Sequence, residues 1–298
     1  MFSQTVQDFE LLVRDDGSTD NTTDILRQYA EKYPNRIKIN TNTPPTGNAK
    51  DNFFLLMKDA SAEYMMFCDQ DDCWLPEKIE LTLKAMQSLA QDKPALVHTD
   101  LTVADEKLET IRKSFYRMQH YERGMKLTLN KALAQNTVTG CTTMINKCLC
   151  DMAKDTNHKD IIMHDWWLAA IASAFGNVKA VKQPTILYRQ HGKNSVGAKS
   201  FSQSFQLVKS GEKDLQKSLD KTYVQAKQFT EVFGDKLTEK QQNAILRFAT
   251  TPKNKPIKRV CTIIRHGFWK QSFLHKLAQL GMPFLSKIRY VFESVFSK

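Results

Sequence analysis

Two turns in this chain carry carboxylates at spacings that can do chemistry: Asp15-Asp16, followed by Gly17-Ser18, and Asp69-Gln70-Asp71-Asp72. In the second, side chains two residues apart on a tight turn can converge on one hard divalent cation such as Mg²⁺ or Mn²⁺. Such a cation in turn holds a diphosphate. Aspartate is also common in turns that need no ligand. Two acidic turns at one edge of a sheet are harder to assign to turn-making alone, because like charges so close repel without a counter-ion. A third carboxylate, Asp165, lies between His164 and Trp166-Trp167. An aspartate flanked by rings that exclude water suits proton abstraction from a hydroxyl, and it equally suits N-capping of a helix over Trp166–Phe175. His191 follows a strand-like Ile186–Arg189 in a polar loop with Arg189 and Lys193 nearby. His98 and Asp100 close the strand after the second acidic turn.

These side chains need a frame, and the first 190 residues supply one. Phe9–Arg14, Ile37–Asn40, Tyr64–Cys68 and Ala95–Leu101 read as short buried strands. Between them, helices are predicted from the Ser18–Asp20 caps to Tyr33, from Lys50 to Ala60, and from Pro76 at the first helical position to about Ala90. Strand–helix alternation implies an α/β, doubly wound and mostly parallel sheet, whose ligands collect at the carboxyl ends of the strands. Both acidic turns sit there.

After residue 200 no strand-like run appears, and apolar residues recur at helical spacing, as at Phe284, Ile288, Val291 and Val295. The expected division is 1–200 for the α/β domain and 201–298 for a helical, basic C-terminal region. Residues 1–200 hold 25 Lys+Arg against 25 Asp+Glu, whereas 201–298 hold 18 against 7, so the net charge of +11 resides in the second part. A neutral body with a basic, aromatic-bearing tail fits either peripheral contact with an anionic membrane or helices packed on the domain. No stretch approaches the ~18 apolar residues of a membrane span. The expected location is cytoplasmic, with peripheral attachment to the inner membrane face as an extension. The six cysteines lack a CxxC pair and point to a reducing compartment, and Cys141, Cys148 and Cys150 read as ordinary core thiols. Nothing resembles a nucleic-acid-binding motif.

Five ordered motifs are Arg14-Asp15-Asp16-Gly17-Ser18-Thr19-Asp20, Lys50-Asp51-Asn52-Phe53, Phe67-Cys68-Asp69-Gln70-Asp71-Asp72-Cys73-Trp74, His164-Asp165-Trp166-Trp167 and Tyr188-Arg189-Gln190-His191-Gly192. Together, over about residues 5–195, they resemble the inverting family 2 glycosyltransferases of GT-A fold, in the variety of bacterial rhamnosyltransferase-like enzymes of surface-polysaccharide synthesis. The resemblance implies metal-dependent sugar transfer from a nucleotide donor (dTDP-rhamnose or a UDP-sugar) to a glycan or lipid-linked acceptor. It implies donor contacts from Asp15, Asp16, Lys50 and Asp69, with Asp69-Gln70-Asp71 as the DxD motif and Asp71 as metal ligand. It implies Asp165 as catalytic base, His191 as a late metal or diphosphate contact, and Trp166, Trp167 and Asp72 on the acceptor side, the tryptophans as a sugar-stacking platform. Family members begin with a strand, turn and helix ahead of the segment like Gln4–Phe9. That places Met1 inside the first helix and leaves the first strand missing, with a gap beside both acidic turns. A non-catalytic binding or scaffolding subunit is the alternative reading. A phospho-acceptor receiver is disfavoured, since it needs a single central aspartate on its own strand.

Overall fold

The computed structural model describes residues 1–40, 44–121, 126–157, 159–190 and 212–271, with Lys276, Gln279 and Leu280. β1 (Leu11–Arg14) and β2 (Ile37–Asn40) pair in parallel through the crossover helix α1 (Thr22–Lys32). α1 starts two residues beyond the predicted caps. Asp15 and Asp20 turn their carboxylates onto local amides instead, Asp20 accepting from the Thr22 N–H at 3.0 Å. α2 (Ala49–Asp59) is capped by Asn48, whose side chain accepts from the Asp51 N–H.

The chain then builds a six-stranded sheet from β3 (Tyr64–Met66), β4 (Cys73–Trp74), β5 (Ala95–Ala104), β6 (Thr110–Arg112), β7 (Thr143–Asn146) and β8 (Asn177–Arg189). The order is β3-β7-β5-β8-β4, with β6 also on β5. The longest ladder, β5 with β8, is parallel and runs from Ala95 opposite Asn177 to Ala104 opposite Arg189. The antiparallel pairings β3–β7, β5–β7, β5–β6 and β4–β8 are short. The expected α/β sheet is present, and its long ladders are the parallel ones.

All ten residues of β5 are buried, and they alternate between two apolar layers. Ala95 and Val97 join Ala85 and Met86 of α3 (Lys78–Gln87), while Leu96 joins the layer of Trp167 and Leu168 on α7 (His164–Phe175). Three shorter helices, α4 (Phe115–Met118), α5 (Leu129–Ala134) and α6 (Lys147–Ala153), close the flanks. Pro76 stands ahead of Glu77, the N-cap of α3, not at the first helical position. Residues 1–10 form no helix, contrary to expectation. Gln4 is buried there, its Nε2 donating to Leu75 O at 2.8 Å and its Oε1 accepting from the Ile79 N–H at 3.1 Å. β1–β2 and the six-stranded sheet remain separate, and β1 and β3 each end their own order.

Helices α8 (Glu212–Phe233), α9 (Glu239–Ala249) and α10 (Pro256–His266) follow. Phe229, Phe233, Phe248 and Phe268 belong to the same buried cluster as Leu96, Ile145 and Trp167. The Trp167 ring lies 5.3 Å from Phe229 and 5.8 Å from Phe233. These helices are therefore packed onto the α/β layer. α10 leaves Ile257 (70% exposed), Cys261 and Ile264 (54% exposed) on its outer face beside Lys258 and Arg265. Among the described residues no helix is long and apolar enough to cross a membrane. Residues 281–298, with Phe284, Ile288, Val291 and Val295, lie outside the described residues.

Candidate active site

The first acidic turn is organised by Arg14, whose side chain is fully buried. Its guanidinium donates to Asp16 Oδ1 at 2.6 Å, Asn52 Oδ1 at 2.8 Å and Pro44 O at 2.6 Å. Asp16 also accepts from the Thr46 N–H at 2.7 Å and the Gly47 N–H at 2.8 Å. Burial pushes the Asp16 carboxyl up, but the Thr46 amide and Arg14 outweigh it and hold it below the ordinary carboxylate range. Asp16 thus clamps the 44–48 loop, a positioning task the sequence did not reveal, and its oxygens are largely committed. Asp15 accepts from the Ser18 hydroxyl at 2.5 Å and from the Gly17 and Ser18 amides, the hydroxyl contributing most to its lowered pKa. Gly17 has φ 91°, and a Cβ there would lie 2.8 Å from Pro45 Cγ, so glycine is needed twice over. Lys50 is mostly buried, its Nζ 3.3 Å from Asp51 Oδ1.

In the second turn, Asp69, Asp72 and Cys141 bring one ligand atom each within 4.8 Å of one another. Burial, with the charge of Asp71 added, pushes Asp69 up to about 6. Burial pushes Asp72 up to about 7, and Asp69 and Asp71 add to it. The Cys141 sulfur lies within 4.8 Å of a carboxylate oxygen of each aspartate. Burial, then the two aspartates, keeps it protonated. Asp72 Oδ1 accepts from the Arg189 N–H at 3.3 Å, while Asp72 Oδ2 is buried without a hydrogen-bond partner. An orphaned carboxylate oxygen amid three crowded acids is what a hard divalent cation would satisfy, so these residues fit one. Close by, Lys78 is fully buried, with its Nζ 4.6 Å from the Trp74 ring centroid. Burial draws it down to about 8, against the nearby Cys141, Cys68 and Asp72. The structure gathers Asp72 and Cys141 beside Asp69, an association of the thiol with two acids that the sequence did not reveal. Asp71 stands outside the converging trio but close enough for its charge to act on it.

Asp165 is buried in the first turn of α7, whose N-cap is Met163 and not Asp165. Its Oδ1 accepts from the neighbouring Trp166 N–H at 2.6 Å and from Asn136 Nδ2 at 3.0 Å. Burial dominates nonetheless and pushes it up to about 7, with Asp69 contributing. A carboxylate poised there can exchange a proton near neutrality. His164 packs between Phe53 and Phe67, ring centroids 4.4 and 4.9 Å away, and burial drives it down to about 3, so it stays neutral. Trp166 is half-buried, its Nε1 bonded to Ala132 O. Trp167 is fully buried against Phe229 and Phe233 and cannot stack on an acceptor sugar, which corrects that expectation. His98 and Asp100 are also spent internally: His98 Nδ1 lies 2.5 Å from Tyr116 Oη, and Asp100 holds the Ser114 hydroxyl and the Tyr116 amide. They anchor α4 and do not line a cleft. His191 and Lys193 lie outside the described residues.

Residues 1–145 match the family described as Glycosyl transferase family 2. The chain is 31% identical to "dTDP-rhamnosyl transferase RfbG" of Shigella flexneri, over 64% of its own length and 66% of that protein. It is 30% identical to "UDP-Glc:alpha-D-GlcNAc-diphosphoundecaprenol beta-1,3-glucosyltransferase WfgD" of Escherichia coli, over 49% of this chain and 51% of that one. The chain thus spans somewhat under two thirds of one relative and about half of the other. The crystal structure of S. aureus TarS is similar in fold, with a TM-score of 0.54 at 14% identity over 89% of this chain and 44% of that one. A structure of TarS 1–349 in complex with UDP-GlcNAc gives 0.50 at 14% identity, over 89% and 74%.

Proposed function

Residues 1–145 are a glycosyltransferase family 2 domain, and from that premise we propose that the chain moves a sugar from a nucleotide donor to a surface-polysaccharide acceptor with inversion at the anomeric carbon. The observation that carries this reading is the meeting of two unlike acidic groups at one short turn. The crowded Asp69–Asp72 pair, with Asp71 beside it, lies on one side, and the single, proton-exchanging Asp165 on the other.

Asp69, Asp71 and Asp72 would hold Mg²⁺ or Mn²⁺, which when bound neutralises charge on the departing diphosphate. Asp165 takes the proton of the acceptor hydroxyl as its oxygen attacks the anomeric carbon from the face opposite the leaving diphosphate. Its helix-end amide and Asn136 fix the carboxylate's direction. The Arg14–Asp16 clamp shapes the 44–48 loop and the start of α2, and Asp15 and Lys50 on either side of it would contact the nucleotide. The similarity to RfbG, a dTDP-rhamnosyl transferase, supports dTDP-rhamnose as donor, and the TarS complex keeps a UDP-sugar in play. The outer face of α10, apolar and basic together, supports peripheral contact with anionic membrane, where a lipid-linked acceptor would lie. Binding without turnover is the second reading, and it draws on the parting of the sheet between β1 and β3.

The test is calorimetric titration with dTDP-rhamnose and with UDP-sugars, in Mn²⁺ and in EDTA. Cation-dependent binding of one donor, competed by its free nucleoside diphosphate, is expected. No donor bound, or equal binding in EDTA, would overturn the reading.

A further inference from the structure

One short turn, Gly140–Thr142, touches both halves of this site. It is stitched shut from behind, since Thr139 O accepts from the Thr142 N–H at 2.9 Å and from the hydroxyls of Thr142 at 2.7 Å and Thr143 at 3.0 Å. On one side Gly140 backs directly onto His164 and the Asp165 carboxylate. A Cβ at Gly140 would lie 2.8 Å from His164 Nε2, 3.1 Å from its Cε1 and 3.6 Å from Asp165 Oδ2. His164 has little room to withdraw, because Phe53 and Phe67 hold its ring and it is 4% exposed. On the other side the next residue, Cys141, is 1% exposed and its sulfur lies within 4.8 Å of an oxygen of each of the Asp69 and Asp72 carboxylates.

We propose that Gly140 and Cys141 are positioning residues of the transfer reaction, joined in one rigid turn: Gly140 seats the base Asp165 and its neighbour His164 through its missing side chain, and Cys141 spaces Asp69 from Asp72 across the cation site. The proposal rests on the glycosyl-transfer reading and adds a coupling to it. The distance between base and cation site is set by two adjacent residues and not by the packing of α7 against the sheet at large. Glycine at 140 is then required by side-chain geometry, since its φ is not in the left-handed region. The thiol at 141 is required as a neutral, buried donor that can lie between two acids; a third carboxylate there would add to the repulsion.

Three variants separate the two halves: Gly140→Ala, Cys141→Ala and Cys141→Ser. Each is measured for Mn²⁺ affinity by electron paramagnetic resonance, for donor affinity by calorimetry, and for kcat and KM of sugar-nucleotide turnover. Gly140→Ala should lower kcat by about a hundredfold, as displacement of a reacting group by about 1 Å does, while Mn²⁺ and donor affinities stay within about twofold of the parent. Cys141→Ala should weaken Mn²⁺ binding by about tenfold, the scale on which groups supporting a metal ligand act, and Cys141→Ser, which keeps a donor, should recover most of that loss. Circular dichroism and melting of each variant report folding. If Gly140→Ala fails to fold, the Cys141 pair still decides the matter by its metal affinities. Parent turnover with Gly140→Ala at parental kcat, or with Cys141→Ser as impaired as Cys141→Ala, overturns the positioning role alone. A parent chain that neither binds Mn²⁺ nor turns over any sugar nucleotide overturns the glycosyl-transfer reading itself.

Discussion

Asp165 carries the heaviest chemical burden in this account, and its surroundings fix what it should do. Burial holds its carboxyl at about 7, and it accepts a proton only when ionised. Transfer should therefore rise with pH through about 7 and level off above. Asp165→Asn should cut turnover by about 10²–10⁴-fold and leave donor affinity unchanged in calorimetry; a variant retaining most of its rate would place the base elsewhere. Asp69, Asp72 and Asp165 also share a thermodynamic signature. Each folded-state pKa, about 6, 7 and 7, stands above the ordinary 3.8. The folded protein thus binds protons more tightly than the unfolded chain. The stability these groups lend is present below about pH 4 and is lost as pH rises through 6 to 7. A divalent cation compensates for ionised acids only, so Mn²⁺ should raise the melting temperature clearly at pH 8 and little at pH 5. Equal shifts at both values would contradict a cation among these carboxylates.

At the scale of elements, the clamp around Arg14 is the feature most exposed to test. Arg14→Ala removes a buried cation that joins β1, the 44–48 loop and α2, leaving Asp16 and Asn52 without it. A loss of about 2–3 kcal/mol in urea unfolding is expected, together with weakened donor binding. Unchanged stability would mean the Thr46 and Gly47 amides hold the loop alone. This clamp shows where sequence reading reached its limit. β1, β2 and α2 were legible because each is a short periodic run between strong turn signals, and they fall within about two residues of expectation. The acidic turns were legible as a clustering of residue types. Which oxygen is free and which is spent was not, because that depends on partners 30 to 38 residues away. Cys141 escaped for the same reason: a thiol in a Thr-rich strand entry looks like core until Asp69 and Asp72 arrive beside it. Trp167 misled in the opposite direction, since an aromatic pair beside an aspartate has the same pattern whether it faces a ligand or, as here, Phe229.

At the scale of the whole molecule, the C-terminal helices share a core with the α/β layer while α10 keeps an apolar and basic face outward. The buried faces of these helices are packed on the domain, and the outward face of α10 is the one on which membrane contact is proposed. Removal of residues from Pro252 onward takes away ten basic side chains and one acidic one, Glu293, and should abolish co-sedimentation with anionic vesicles. Binding by the full chain should weaken as salt rises; equal sedimentation of both forms would leave α10 a packing element only. The central claim is that an acidic cation site and a separate base together transfer a sugar from a nucleotide. Its most direct measurement is release of nucleoside diphosphate from a panel of sugar nucleotides by the full chain. The parent, Asp69→Asn and Asp165→Asn are compared, each with Mn²⁺ and with EDTA. The account predicts release from one donor by the parent in Mn²⁺ only, with loss in both variants and, in Asp165→Asn alone, donor binding intact. Release that survives EDTA and both substitutions would contradict it.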